Sequence, residues 1–124
     1  MSIHYKKHPH HPESILIRDF AGEVNVADII DSWEYLIENK VMNPSIKGVI
    51  NNLTTCTLKM DMSSFKTLAE YLKNHETLKN IKLAVLCDDP KTIIFPTLGQ
   101  IGEKDLKIRP FSTIESAVNW INEG

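Results

Sequence analysis

The apolar positions of this chain fall into short runs and helical stripes that alternate along its length. The most continuous run is Ile81 to Asp89, Ile-Lys-Leu-Ala-Val-Leu-Cys-Asp-Asp, which ends abruptly in two acids and Pro90. A run of that length, bounded by turn residues, predicts a strand buried on both faces of a sheet. Such a strand needs helices above and below it, and amphipathic segments flank it on both sides. Val26, Ile29, Ile30, Trp33, Leu36 and Ile37 recur at helical spacing. Asn25 is a good N-cap for that helix, with Asp28 in its first turn, and Asn43-Pro44-Ser45 ends the unit. A second stripe, Phe65, Leu68, Ala69 and Leu72, begins near Asp61 to Ser64 and ends near Asn74-His75. The last stripe is Ile114, Ala117, Val118 and Ile121, with Trp120 beside it. Ser112 and Glu115 precede it as a capping box of the form Ser-x-x-Glu.

Between the stripes lie further strands. Ser14 to Phe20 reads as one, with Gly22 marking the turn after it. Ile46 to Leu53 is the next, closing on the polar pair Asn51-Asn52, and Leu106 to Phe111 is the last. Ahead of these, Ile3 to His8 reads as an edge strand that Pro9 and Pro12 turn into its neighbour. Neither proline can donate to a ladder, which suits an edge and a turn. After the buried run, Asp89 and Pro90 form an N-cap and first-turn pair for a third helix. Pro96, Gly99 and Gly102 break up the apolar segment that follows, so a short or broken helix is expected there. Strand and helix alternate four times after a leading hairpin. The expected fold is α/β: a mixed, mostly parallel sheet of about five strands, helices on its faces and right-handed crossovers.

Composition narrows the function classes. The chain has 124 residues, 42% of them apolar and 24% charged, which suits one core without disulfides or metal. Residues 1–124 are read as a single domain, with 1–12 as an edge strand or flexible start. A net charge of -2 creates no field that would gather nucleic acid. No apolar stretch approaches the ~20 residues that cross a bilayer, and the start carries no signal-like apolar region. Cys56 and Cys87 are far apart and outside any metal-ligand pattern. A cytoplasmic protein that is not integral to a membrane, with no cofactor, is the expectation.

Candidate chemistry is sparse. His4, His8, His10 and His11 crowd the start, but no carboxylate or cysteine is interleaved to fix a metal geometry, and the edge strand accounts for them. Asp88 and Asp89 follow the buried strand at the edge where open α/β sheets place ligands. Read with Asp61 they could gather a cation, but Asp89 serves equally as a helix cap, and no metal site is assigned. No nucleophile elbow, phosphate loop or Cys-His arrangement is present, so no catalytic residue is assigned. Asp61, Ser63 and Ser64 start a helix, where free N–H groups and the dipole favour a phosphate, or where one of the three simply caps. Ile93, Ile94, Phe95, Leu98 and Ile101 are too many for one face of a helix broken at Pro96. They form either the core side of a kinked helix or a surface for a partner, a second copy or a lipid tail.

The leading hairpin, Gly22-Glu23 after the second strand, and the alternating units resemble the STAS and SpoIIAA-like families. The ending is the strongest match: Lys107-Ile-Arg-Pro-Phe-Ser-Thr-Ile-Glu-Ser-Ala-Val-Asn-Trp-Ile121 resembles the last strand, cap and helix of SpoIIAA-like proteins. The resemblance spans essentially the whole length. It implies a compact, non-enzymatic domain that binds a partner protein or self-associates, with a lipid-like apolar ligand as the alternative. In STAS-type antagonists a Ser in an Asp-Ser-Ser-Gly motif at the start of the second helix is phosphorylated by a partner kinase. Here the matching stretch is Asp61-Met62-Ser63-Ser64. Met62 stands where the first Ser would be, and Ser64 replaces the Gly.

Overall fold

The structure, a computed structural model, describes residues 2–59, 61–88 and 106–123. Five strands make one sheet: β1 (Ser2–Lys7), β2 (Ile15–Asn25), β3 (Gly48–Lys59), β4 (Lys82–Leu86) and β5 (Lys107–Phe111). They lie in the order β1-β2-β3-β4-β5. β1 runs antiparallel to β2, and every later pair is parallel. Three helices are described: α1 (Val26–Glu38), α2 (Met62–Asn74) and α3 (Ile114–Asn122). The mixed sheet with a leading hairpin is the one the hydrophobic pattern predicts. The predicted helix after Pro90 lies outside the described residues.

Side-chain alternation divides the sheet between two apolar layers. Leu16, Phe20, Val49, Leu83, Val85 and Ile108 pack under α1 and α2, against Trp33, Leu36, Phe65 and Leu72. Ile15, Ile17, Ile50, Ala84 and Leu86 face the other way, against Ala117, Trp120 and Ile121 of α3. β4 therefore has its alternate residues in both layers, as its continuous apolar run requires. It is not the middle strand, however. β3 holds that place, because β5 adds outside β4.

Caps explain where the helices start and stop. Asn25 accepts from the Asp28 amide and Asp28 from the Asn25 amide, a reciprocal capping box. α1 ends in a Schellman motif: the Val41 amide reaches Leu36 O and the Lys40 amide reaches Ile37 O, with Lys40 at φ 58. The Lys82 ammonium, reaching across from β4, donates to Trp120 O (2.7 Å) and Glu123 O (3.0 Å) at the end of α3. A cation there meets both the unsatisfied carbonyls and the negative end of the helix.

Four local expectations are corrected. The cap of α3 is Thr113, whose Oγ1 accepts from the Ser116 amide, not Ser112 with Glu115. Trp120 is buried in the stripe with Ala117 and Ile121, and Ile114 lies 43% exposed. Gly22 does not end β2: it passes through at φ 77 while the strand continues to Asn25. β3 likewise continues past Asn51-Asn52 to Lys59, paired with β2 throughout. Three residues of β2, Asp19 to Ala21, are matched by four of β3, Asn52 to Thr55, so β3 carries a bulge. The Asn52 side chain holds the bulge by accepting from the Thr54 amide and hydroxyl, and Thr55 Oγ1 donates to Phe20 O.

Candidate functional site

The start of α2 follows the carboxyl end of β3, on the sheet edge where parallel α/β folds present ligand-binding groups. Asp61, in extended backbone, accepts from the Ser64 amide through Oδ1 at 2.7 Å. That backbone hydrogen bond is the main cause holding the Asp61 carboxyl below its ordinary range. Phe65 anchors the turn from beneath and is buried, while Ser63 is exposed. Met62 at the first helical position is 49% exposed. The result is one turn with a satisfied cap, an apolar side chain in solvent and a free hydroxyl beside it.

Asp88 is exposed after β4, and Asp89 lies outside the described residues. No group of three metal-ligating side chains forms among the described residues. The histidine-rich start is a hairpin connection rather than an open tract. His8 is buried, its Nδ1 accepts from the His10 amide, and burial is the main cause lowering its pKa. Ile93, Ile94, Phe95, Leu98 and Ile101 all lie outside the described residues, and the expected apolar surface with them. Among the described residues, no helix is long and apolar enough to cross a membrane.

A buried polar centre escapes the sequence reading. Arg18 of β2 is 2% exposed and inside the layer under α1. Its guanidinium stacks 3.8 Å from the centre of the Trp33 ring and 4.9 Å from that of Phe20. Nε donates to Asn51 Oδ1 (2.8 Å) and Nη1 to Ser32 Oγ (3.1 Å). Asn51 in turn donates to Ala84 O of β4 (3.0 Å). The chain of bonds links α1, β2, β3 and β4. Among the described residues no carboxylate pairs with Arg18, and desolvation lowers its pKa to about 9. The available signal was one arginine in an otherwise apolar strand, Ile-Leu-Ile-Arg, with an asparagine in the neighbouring strand. Nothing local shows that they meet.

With two of the described helices on one face, one on the other and an antiparallel edge strand, the chain is an α/β protein with a SpoIIAA-like fold. No protein-family model matches the sequence, and no curated protein matches it. Among solved structures it is similar to an uncharacterized DUF3478-family protein with a SpoIIAA-like fold from Shewanella loihica PV-4. The TM-score is 0.62 at 13% identity, over 97% of this chain and 92% of that one. It is also similar to the anti-sigma factor antagonist SpoIIAA in its unphosphorylated form, with TM-score 0.58 at 12% identity over 99% of this chain and all of that one. At such identities the likeness is one of fold, and it matches the family resemblance read from the chain's ending.

Proposed function

We propose that this chain is a non-enzymatic regulatory domain that acts by binding a protein partner through the first turn of α2. The observation that carries the reading is Met62, an apolar side chain 49% exposed beside the exposed Ser63 on a rigidly capped turn. An apolar side chain exposed on a capped turn can serve as the anchor that a partner's pocket buries. The SpoIIAA-like fold supports the same reading, since SpoIIAA itself is described as an antagonist of an anti-sigma factor. Affinity capture from the protein's own cells, quantified for wild type and Met62→Asp, tests it. The expected result is one or more partners lost with Met62→Asp while its thermal unfolding is unchanged. Identical partner profiles for the two folded proteins would refute it.

A phosphoswitch at Ser63 is the second reading. Its support is the exposed Ser63 at the positive end of α2, with Asp61 already engaging the Ser64 amide. It predicts a phosphate on protein isolated from its own cells and altered partner affinity for Ser63→Asp. An unmodified intact mass together with unchanged affinity removes it.

A further inference from the structure

β1 is the sheet's outermost strand, and among the described residues nothing pairs with its outer edge. The hairpin pattern identifies which of its groups are free. The His8 amide donates to Ile15 O, so His8 faces β2. In an antiparallel ladder such residues alternate. Ser2, His4 and Lys6 therefore also face β2, and Ile3, Tyr5 and Lys7 turn their amides and carbonyls outward. The same three residues put their side chains on the α1 side of the sheet. Ile3 packs against the layer beneath α1, and Tyr5 meets Tyr35 of α1 at 6.3 Å between ring centres.

Beside this free edge runs a groove of about 530 Å³, lined by Ile3, Tyr5, Asp28, Asp31, Tyr35 and Leu36 among others. Tyr5 and Tyr35 are 42% and 53% exposed, so the lining offers two large, half-exposed aromatic side chains packed against each other. Its wall carries two acids of α1, Asp28 and Asp31, and α1 has no basic residue. The strand beside it is basic, with Lys6 and Lys7 and no acid. Lys6 leans away toward Asp19 at 3.5 Å. An occupant must bring backbone groups to the free edge, an apolar or aromatic side chain to the tyrosines and a cation to the acids. β1 itself has that chemistry.

We propose that two copies of this chain pair through their β1 strands in antiparallel register about a twofold axis at Tyr5, making one continuous ten-stranded sheet. Among the described residues of β1, 3, 5 and 7 offer outward groups, and centring on Tyr5 uses all three. Ile3 then lies opposite the second copy's seventh residue, a lysine on the same face. That ammonium enters the groove at the end that holds Asp28 and Asp31, and symmetry makes the contact twice. Lysine on an edge strand usually blunts pairing; here each lysine meets the other copy's acidic helix rather than another lysine.

This pairing is independent of the α2 surface, so its failure leaves the proposed partner binding untouched. Sedimentation equilibrium on the full chain, across a wide concentration range and at low and high salt, provides the test. A dimer is expected, weakened by salt. Lys7→Glu and Asp31→Lys each reverse a contact made twice, and each should weaken association about tenfold. The double variant Lys7→Glu with Asp31→Lys should restore it, which no unfolding artefact would do. Tyr5→Pro removes an outward donor without touching the bonds to β2, and should abolish pairing. A wild-type monomer at every concentration would overturn the proposal. So would a dimer indifferent to these variants, or a charge swap that fails to restore association.

Discussion

The buried arginine leads to a prediction that separates a paired polar centre from a tolerated accident. Arg18 is almost fully removed from water, and desolvation pushes its pKa down to about 9. The charged form is held in place by the rings of Trp33 and Phe20 and by two hydrogen bonds. Asn51→Leu keeps the volume but strips the acceptor from Nε. Losing a hydrogen bond to a charged group costs about 1.5–3 kcal/mol, and the Ala84 carbonyl loses its donor for about 1 more. Asn51→Leu should therefore destabilise by about 3–4 kcal/mol. Arg18→Met keeps the apolar stem against Trp33 and removes the buried charge. It should cost no more than about 1–2 kcal/mol, since only the neutral Asn51 and Ser32 oxygens lose a partner. In the double variant the loss should be far below the sum, with a coupling of about 2 kcal/mol.

Urea unfolding of the four proteins measures this cycle. Additive effects, or an Asn51→Leu cost under about 1 kcal/mol, would refute the assignment of Arg18 as a charged group dependent on Asn51. A pH arm provides a second check. Above about pH 9 the unfolded chain keeps a proton on Arg18 that the folded chain has released, so stability rises with pH there until the unfolded arginine also titrates. Tyr71 acts the opposite way. Burial and its hydrogen bond to Glu34 (2.8 Å) raise its pKa, so the folded chain keeps the phenol proton that the unfolded chain loses. The rise belongs in a comparison of Tyr71→Phe with Tyr71→Phe/Arg18→Met, and should be absent in the second.

Three other outcomes follow from single positions. A Cβ on Gly48 would stand 2.7 Å from two carbons of Ile121, so Gly48→Ala should push α3 off the sheet and cost about 1–3 kcal/mol in urea unfolding. Lys40 holds a left-handed φ of 58 in the Schellman turn, so Lys40→Gly should stabilise by about 1 kcal/mol, seen as a higher melting temperature. Asp61→Ala removes the cap of α2, and hydrogen exchange at Ser64 and Phe65 should quicken while β2 and β3 amides stay protected.

The chain's own pattern determined the parts of the fold that depend on neighbours a few residues away. The helical stripes of α1 and α2, the Asn25–Asp28 box and the apolar run of β4 are local signals, read by a period of 3.6, a cap spacing of three or a lack of alternation. The tertiary structure decided whatever depends on pairing across distance. β2 and β3 continue beyond Gly22 and Asn52 because each supplies the other's ladder, although both stretches contain turn-forming residues. In α3 Trp120 joins the core where the stripe alone pointed to Ile114, because Phe111 of β5 packs against it at 5.5 Å between ring centres. Arg18 and Asn51, 33 residues apart, become one centre only when their strands lie side by side. The groove at β1 exists for the same reason: a basic strand and an acidic helix, unremarkable in sequence, form a complementary edge once the hairpin places them together.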